Sequence, residues 1–199
     1  QSTAIPSGAT DYEIDQSLRF NDDDAAYLNR TPSSAGNRKT WTWSGWVKTA
    51  SNIGAYGNRC LFDQYTSASD QAKVRLTGGG SGGTKLTVNA SYAGNSIDVT
   101  TAAILRDSSG WYHLMAVVDT TQATSSNRCK LYINGSLVTD FDGTPSYPAQ
   151  NSDTAMNQTA GHYIGTLSGG LQHFDGYLAE MNFIDGTALT PSSFGETGD

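Results

Sequence analysis

Carboxylates are the residues of this chain best placed to do chemistry, and nearly all are of one kind. Of the 19 acidic side chains, 16 are Asp and three are Glu, at Glu13, Glu180 and Glu196. Glycoside hydrolysis takes two carboxyls held about 5–10 Å apart across the scissile bond, and no two Glu here are close enough in sequence to share one strand face. The Asp excess has two readings. Asp hydrogen-bonds its own backbone in turns, and it also supplies the oxygens that calcium prefers. Three His are present. His113 shares a strand face with Trp111 and Met115, which suits a sheet-face histidine better than a catalytic base. His162 and His173 fall in loops too distant to suggest zinc. No Gly-x-Ser-x-Gly elbow appears. Cys60 and Cys129 form no CxxC pair and fit either a disulfide or two buried thiols. Gly78-Gly79-Gly80-Ser81-Gly82-Gly83 is rich enough in glycine to cradle phosphate. It lacks the Gly-Lys-Ser/Thr of a P-loop and leads into an alternating strand, so it reads as a hairpin.

These residues must be positioned by strands. Gly110 to Asp119 reads as one strand, and Lys130–Val138 as a hairpin turning at Asn134-Gly135, which supplies the two positive-φ positions of a type I′ turn. Leu131 and Ile133 point to one face, and Lys130, Tyr132 and Asn134 to the other. Thr40–Lys48 is a strand with Trp41, Trp43 and Val47 on one face and Trp46 on the other. Further strands are expected at Leu18–Phe20, Cys60–Tyr65, Lys73–Thr77, Thr84–Ala90, Ile97–Val99, Tyr163–Gly165 and Gly176–Ile184. Asn21 to Asp24 forms an acidic turn, residues 143–160 a long polar loop, and Thr190–Phe194 a short helical cap. About a dozen strands without a repeat predict an all-β, two-sheet antiparallel jelly-roll sandwich. Residues 1–15 read as a leader or linker and 16–199 as one domain.

Composition narrows the function. The net charge of −7, with 12 Lys and Arg, argues against nucleic-acid binding, which rests on neutralising phosphates. No apolar run approaches the roughly 20 residues that span a bilayer, so membrane insertion is not expected. The first ten residues lack the basic and apolar organisation of a secretion signal.

Four segments in order resemble the laminin-G-like, concanavalin A-like jelly-roll domains: Trp41–Lys48, Gly110–Asp119, Leu131–Val138 and Asp175–Thr190. Phe174 to Glu196 also looks like the closing segment of such domains in tailed-phage virion proteins. The resemblance implies a two-sheet sandwich that binds rather than transforms. In jelly-roll glucanases a Glu-x-Asp-x-(x)-Glu strand carries the catalytic pair. Here Glu180 stands alone, with Leu178 and Asn182 at matching parity.

Domains of this family often hold calcium at one rim of the sandwich. The resemblance makes Asp119, Asp140 and Asp142 the candidate ligands, with loop carbonyls completing a site for Ca2+. Sugar binding would use an exposed aromatic ring beside amides, and Tyr56, Tyr65, Tyr92 and Tyr147 lie in or beside loops. The expected function is a non-catalytic binding or structural module on the exterior of a tailed-phage virion, in a fibre, tail or head decoration. Its partners would be host-surface glycan or other virion proteins. By family analogy it would be a homo-oligomer, a trimer, although no heptads encode one. A secreted or cell-surface lectin is the second reading, and a glycan hydrolase the third.

Overall fold

The computed structural model describes residues 14–50, 57–80 and 83–195. Twelve strands run β1 (Leu18–Phe20), β2 (Leu28–Arg30), β3 (Thr40–Thr49), β4 (Asn58–Ser67), β5 (Asp70–Gly78), β6 (Thr84–Tyr92), β7 (Asn95–Thr100), β8 (Tyr112–Asp119), β9 (Cys129–Ile133), β10 (Ser136–Leu137), β11 (His162–Ile164) and β12 (Gly176–Asp185). They form two six-stranded antiparallel sheets. Sheet A has the order β1-β12-β3-β8-β9-β10, and sheet B the order β2-β11-β4-β5-β6-β7. The expected jelly-roll sandwich is therefore what the chain forms.

The core follows from period-two alternation. Trp41, Trp43 and Val47 of β3, Leu114, Ala116 and Val118 of β8, and Cys129 and Leu131 of β9 point inward. They meet Val74, Leu76, Leu86, Val88, Ile97 and Val99 of sheet B. Trp41 is fully buried, and its indole N–H donates to Thr154 Oγ1 at 3.1 Å. That bond ties the long polar loop to the core, where an unpaired indole N–H would be costly. Cys60 and Cys129 are free and buried. Burial pushes the Cys129 thiol up to about 12.

Turns close where the sequence provides them. Asn134 (φ 48°) and Gly135 (φ 78°) make the expected positive-φ pair between β9 and β10. Ala93 and Gly94 do the same between β6 and β7, although Ala is an unusual residue for that conformation. Gly78 pairs with Thr84, so β5 and β6 form the expected hairpin. Residues 81 and 82 at its tip lie outside the described residues.

One strand departs from its parity. A bulge interrupts the β12–β3 ladder between Ala179 and Asn182, and Glu180 adopts φ 49°. Glu180 is thus not in line with Leu178 and Asn182, as simple alternation requires. A bulge inserts one residue and re-aims the side chains beyond it. Met181 and Phe183 consequently pack against the core.

Candidate functional site

The outer face of sheet A is not left to solvent. Thr42 and Ser44 of β3, and Met115 and Val117 of β8, point away from the core by register yet are buried. After β12 the chain folds back across them. Gly186 N–H donates to Thr40 O at 3.0 Å, Thr42 Oγ1 donates to Thr187 O at 2.8 Å, and Leu189 N–H donates to Thr42 Oγ1 at 3.0 Å. Pro191 opens the 3-10 turn Pro191–Ser193, its fixed φ suiting a first helical position. This matches the short cap expected from sequence.

Between that turn and the Asn134-Gly135 hairpin lies a cleft of about 840 Å³. Trp46, Trp111, Pro191 and Phe194 give it apolar surface, and His113 and Asn134 give it polar groups. The register of β3 with β8 sets Trp46 directly across from His113, with ring centroids 5.2 Å apart. Phe194 lies 6.2 Å from the same imidazole. His113 is fixed on two sides. Its Nε2 is 2.8 Å from Ser44 Oγ, and its backbone N–H donates to Asn134 Oδ1 at 2.9 Å. With Oδ1 engaged, the exposed Asn134 amide presents its NH₂ as a donor. Burial holds the His113 imidazole below its ordinary value, and the negative charge of Glu180 partly opposes that shift. The ring is therefore neutral around pH 7. Partly exposed aromatic faces beside directional donors can stack a flat apolar ligand face and bond its hydroxyls.

The residues singled out in the sequence are placed differently. Asp119 ends β8 and is saturated by its own corner. Its carboxylate accepts from Thr40 Oγ1 at 3.2 Å, Thr121 Oγ1 at 2.6 Å and Gln122 Nε2 at 2.6 Å. The Asp140 carbonyl accepts from Ala102 N–H at 3.0 Å, and the Asp142 carboxylate pairs with Lys85 Nζ at 2.8 Å. Among the described residues, no group of three or more His, Cys, Asp or Glu could hold a metal. The three Asp thus form no such group; the Asp119 carboxylate is held by turn hydrogen bonds and the Asp142 carboxylate by an ion pair.

Of the four tyrosines, Tyr65 is exposed on β4. Tyr92 has one ring face covered by the Arg38 guanidinium at 3.9 Å. Tyr147 is half-buried, packed against the core. Tyr56 lies outside the described residues. The cleft itself was half legible. Alternation separates Trp46 from Trp41 and Trp43 and puts Trp111 beside His113, but nothing local joins the two strands or brings Phe194 over them.

Two sheets and an aromatic cleft define a lectin-like binding-module fold. The chain belongs to the concanavalin A-like lectin/glucanases superfamily, a laminin-G family model of which matches residues 20–193. A comparison with curated proteins finds no match. Among solved structures, a heptameric SAP-like pentraxin from Limulus polyphemus is similar at 14% identity and TM-score 0.56, over 79% of this chain and 68% of that one. Tailspike protein 2 of an Escherichia coli O157:H7 bacteriophage is similar at 13% identity and TM-score 0.59, over 85% of this chain and 23% of that one. This chain therefore spans about a quarter of the tailspike's length. Domain 4 of AbnA, an extracellular arabinanase from Geobacillus stearothermophilus solved with arabinotriose, is similar at 22% identity and TM-score 0.51, over 78% of this chain and 65% of that one. At these identities the likeness is one of fold. No helix among the described residues is long and apolar enough to cross a membrane.

Proposed function

We infer that this domain is a non-catalytic carbohydrate-binding module, and that the cleft on sheet A is where saccharide docks. The observation that carries this reading is the convergence of Trp46, Trp111 and Phe194 with the His113 and Asn134 polar groups in one open cleft. Stacking on the aromatic faces would supply affinity, and the Asn134 amide would select hydroxyl geometry. The AbnA domain, with its bound arabinotriose, lends support from the same fold. A non-catalytic role fits the site's contents. Glu180 sits on a bulge with no second Glu near it in sequence, and Ser44, the hydroxyl partner of His113, is fully buried.

The domain's place, in this reading, is the exterior of a phage virion, as part of a fibre, tail or decoration polypeptide. Its partner there is host-surface glycan, and it works as a homo-oligomer, a trimer by analogy with fibres. Support comes from the closing segment 174–196 and from the tailspike likeness. The test is a glycan array, followed by prolonged incubation with whichever oligosaccharides bind. Retention without cleavage is expected. Binding to no glycan overturns the lectin reading. Cleavage that disappears in Glu180→Gln makes the domain a hydrolase.

A further inference from the structure

The outer face of sheet B carries three tyrosines that the cleft does not use. Tyr163 of β11 pairs in register with Asn29 of β2 on one side and with Asp63 of β4 on the other. Tyr27 precedes Asn29 by two residues, and Tyr65 follows Asp63 by two with no bulge between. Period-two alternation therefore sends all three rings out of the same face. Tyr27 and Tyr163 touch, with ring centroids 6.1 Å apart. Gly161 falls opposite Tyr65 by continuation of the register. A Cβ there would sit 2.9 Å from Tyr163 Cε2 and Oη, so the Tyr163 ring lies down over Gly161, on the Tyr65 side.

The result is a diagonal aromatic strip across three strands. Strand spacing near 4.8 Å and a rise near 3.3 Å per residue make it about 16 Å long. Tyr27 is 49% and Tyr65 40% exposed. Among the described residues, none of the three hydroxyls is hydrogen-bonded within the chain. Asn29 adds an exposed amide. Asp63, the carboxylate that lies in register between Tyr163 and Lys73, is fully buried, so the strip itself exposes no charged side chain.

We propose that this strip is a second saccharide-contacting surface, on the opposite sheet from the cleft, for the flat faces of a linear uncharged polysaccharide. It rests on the carbohydrate-binding reading above. Exposed phenol faces stack on sugar rings, their hydroxyls bond sugar hydroxyls, and a strip without charged side chains suits an uncharged polymer. Two sites on opposite sheets would let one domain bridge two chains or grip one polymer twice.

The test is affinity electrophoresis in gels cast with arabinan, with a neutral glucan, and with an anionic bacterial O-polysaccharide. Tyr65→Ala/Tyr163→Ala should weaken retardation by a neutral polymer about 3- to 10-fold, Tyr65→Phe/Tyr163→Phe should keep most of it, and adding Trp111→Ala should abolish it. Unchanged thermal unfolding of each variant excludes loss of fold as the cause. If Trp111→Ala alone removes all retardation and the tyrosine variants match the parent, the strip is not a site and the cleft reading stands. If the parent is retarded by none of the polymers, both readings fall. Retardation by the anionic polymer alone also overturns this proposal, since it would require a cationic surface.

Discussion

Trp46 and His113 face each other across the β3–β8 ladder with ring centroids 5.2 Å apart, on the side of sheet A that alternation alone assigns to solvent. Their pairing makes the outer sheet face a site. It is buttressed from below by Ser44 and from the end by Phe194.

Trp111 reaches into the same cleft but is not a core residue. Trp111→Ala should weaken saccharide binding about 10-fold or more, in keeping with 1–2 kcal/mol for a lost stacking face. The thermal midpoint should move little. Affinity electrophoresis with parallel calorimetry checks both, and a variant that binds as well as the parent would move the site elsewhere.

Asp63 should make the fold more stable in acid. It is fully buried, one carboxylate oxygen accepts from Ser168 N–H at 2.9 Å, and the other lacks a partner. Burial pushes its pKa up from 3.8 to about 6. A folded value above the unfolded one means the folded state holds the proton more tightly. The resulting stability is fully present below about pH 4 and is lost as pH rises through 6. A shift of that size is worth up to about 3 kcal/mol. Asp63→Asn should therefore raise stability at pH 7.5 and change it little near pH 4. Urea unfolding at the two values checks this, and equal effects at both would refute it.

His113 and His162 act in the opposite sense. Burial lowers both imidazoles from 6.5, so the unfolded chain takes up their protons first and stability falls as pH drops below 6.5. In the Asp63→Asn variant this acid destabilisation should stand alone, giving a stability curve that only declines from pH 7 to pH 5.

Gly36 cannot carry a side chain. A Cβ there would lie 2.1 Å from Asn157 Nδ2 and 2.4 Å from Asp185 Oδ2. Asn157 is itself engaged, donating to Asp185 Oδ1 at 2.7 Å and to the Asn37 carbonyl at 3.2 Å. Gly36→Ala should cost about 1–3 kcal/mol through this overpacking, read as a lowered denaturation midpoint.

Calcium should leave stability unchanged. Thermal unfolding in EDTA and in millimolar calcium should coincide, because Asp119 and Asp142 already have protein partners. A bound ion at a hundredfold excess over Kd would raise stability by about 2.7 kcal/mol, and such a shift would restore a rim site.

The sequence by itself determined the sandwich, because strand alternation and turn residues are local properties. Trp41, Trp43 and Val47 had to share a buried face, and Asn134-Gly135 had to turn. Even the two halves of the cleft, Trp46 outward on β3 and His113 outward on β8 with Trp111 just before that strand, follow from period two. Only the tertiary structure decided which strands lie side by side, since register between residues 69 positions apart leaves no local trace. It also decided that the chain after β12 folds back over sheet A, burying Thr42 and setting Phe194 by His113. The bulge at Glu180 was hidden for a related reason, as one inserted residue shows only against a partner strand. Asp119, Asp140 and Asp142 resembled ligands in the sequence because turn carboxylates and calcium carboxylates are the same residue type. Only the tertiary structure shows that Asp119 is held by the Thr40 corner and Asp142 by Lys85.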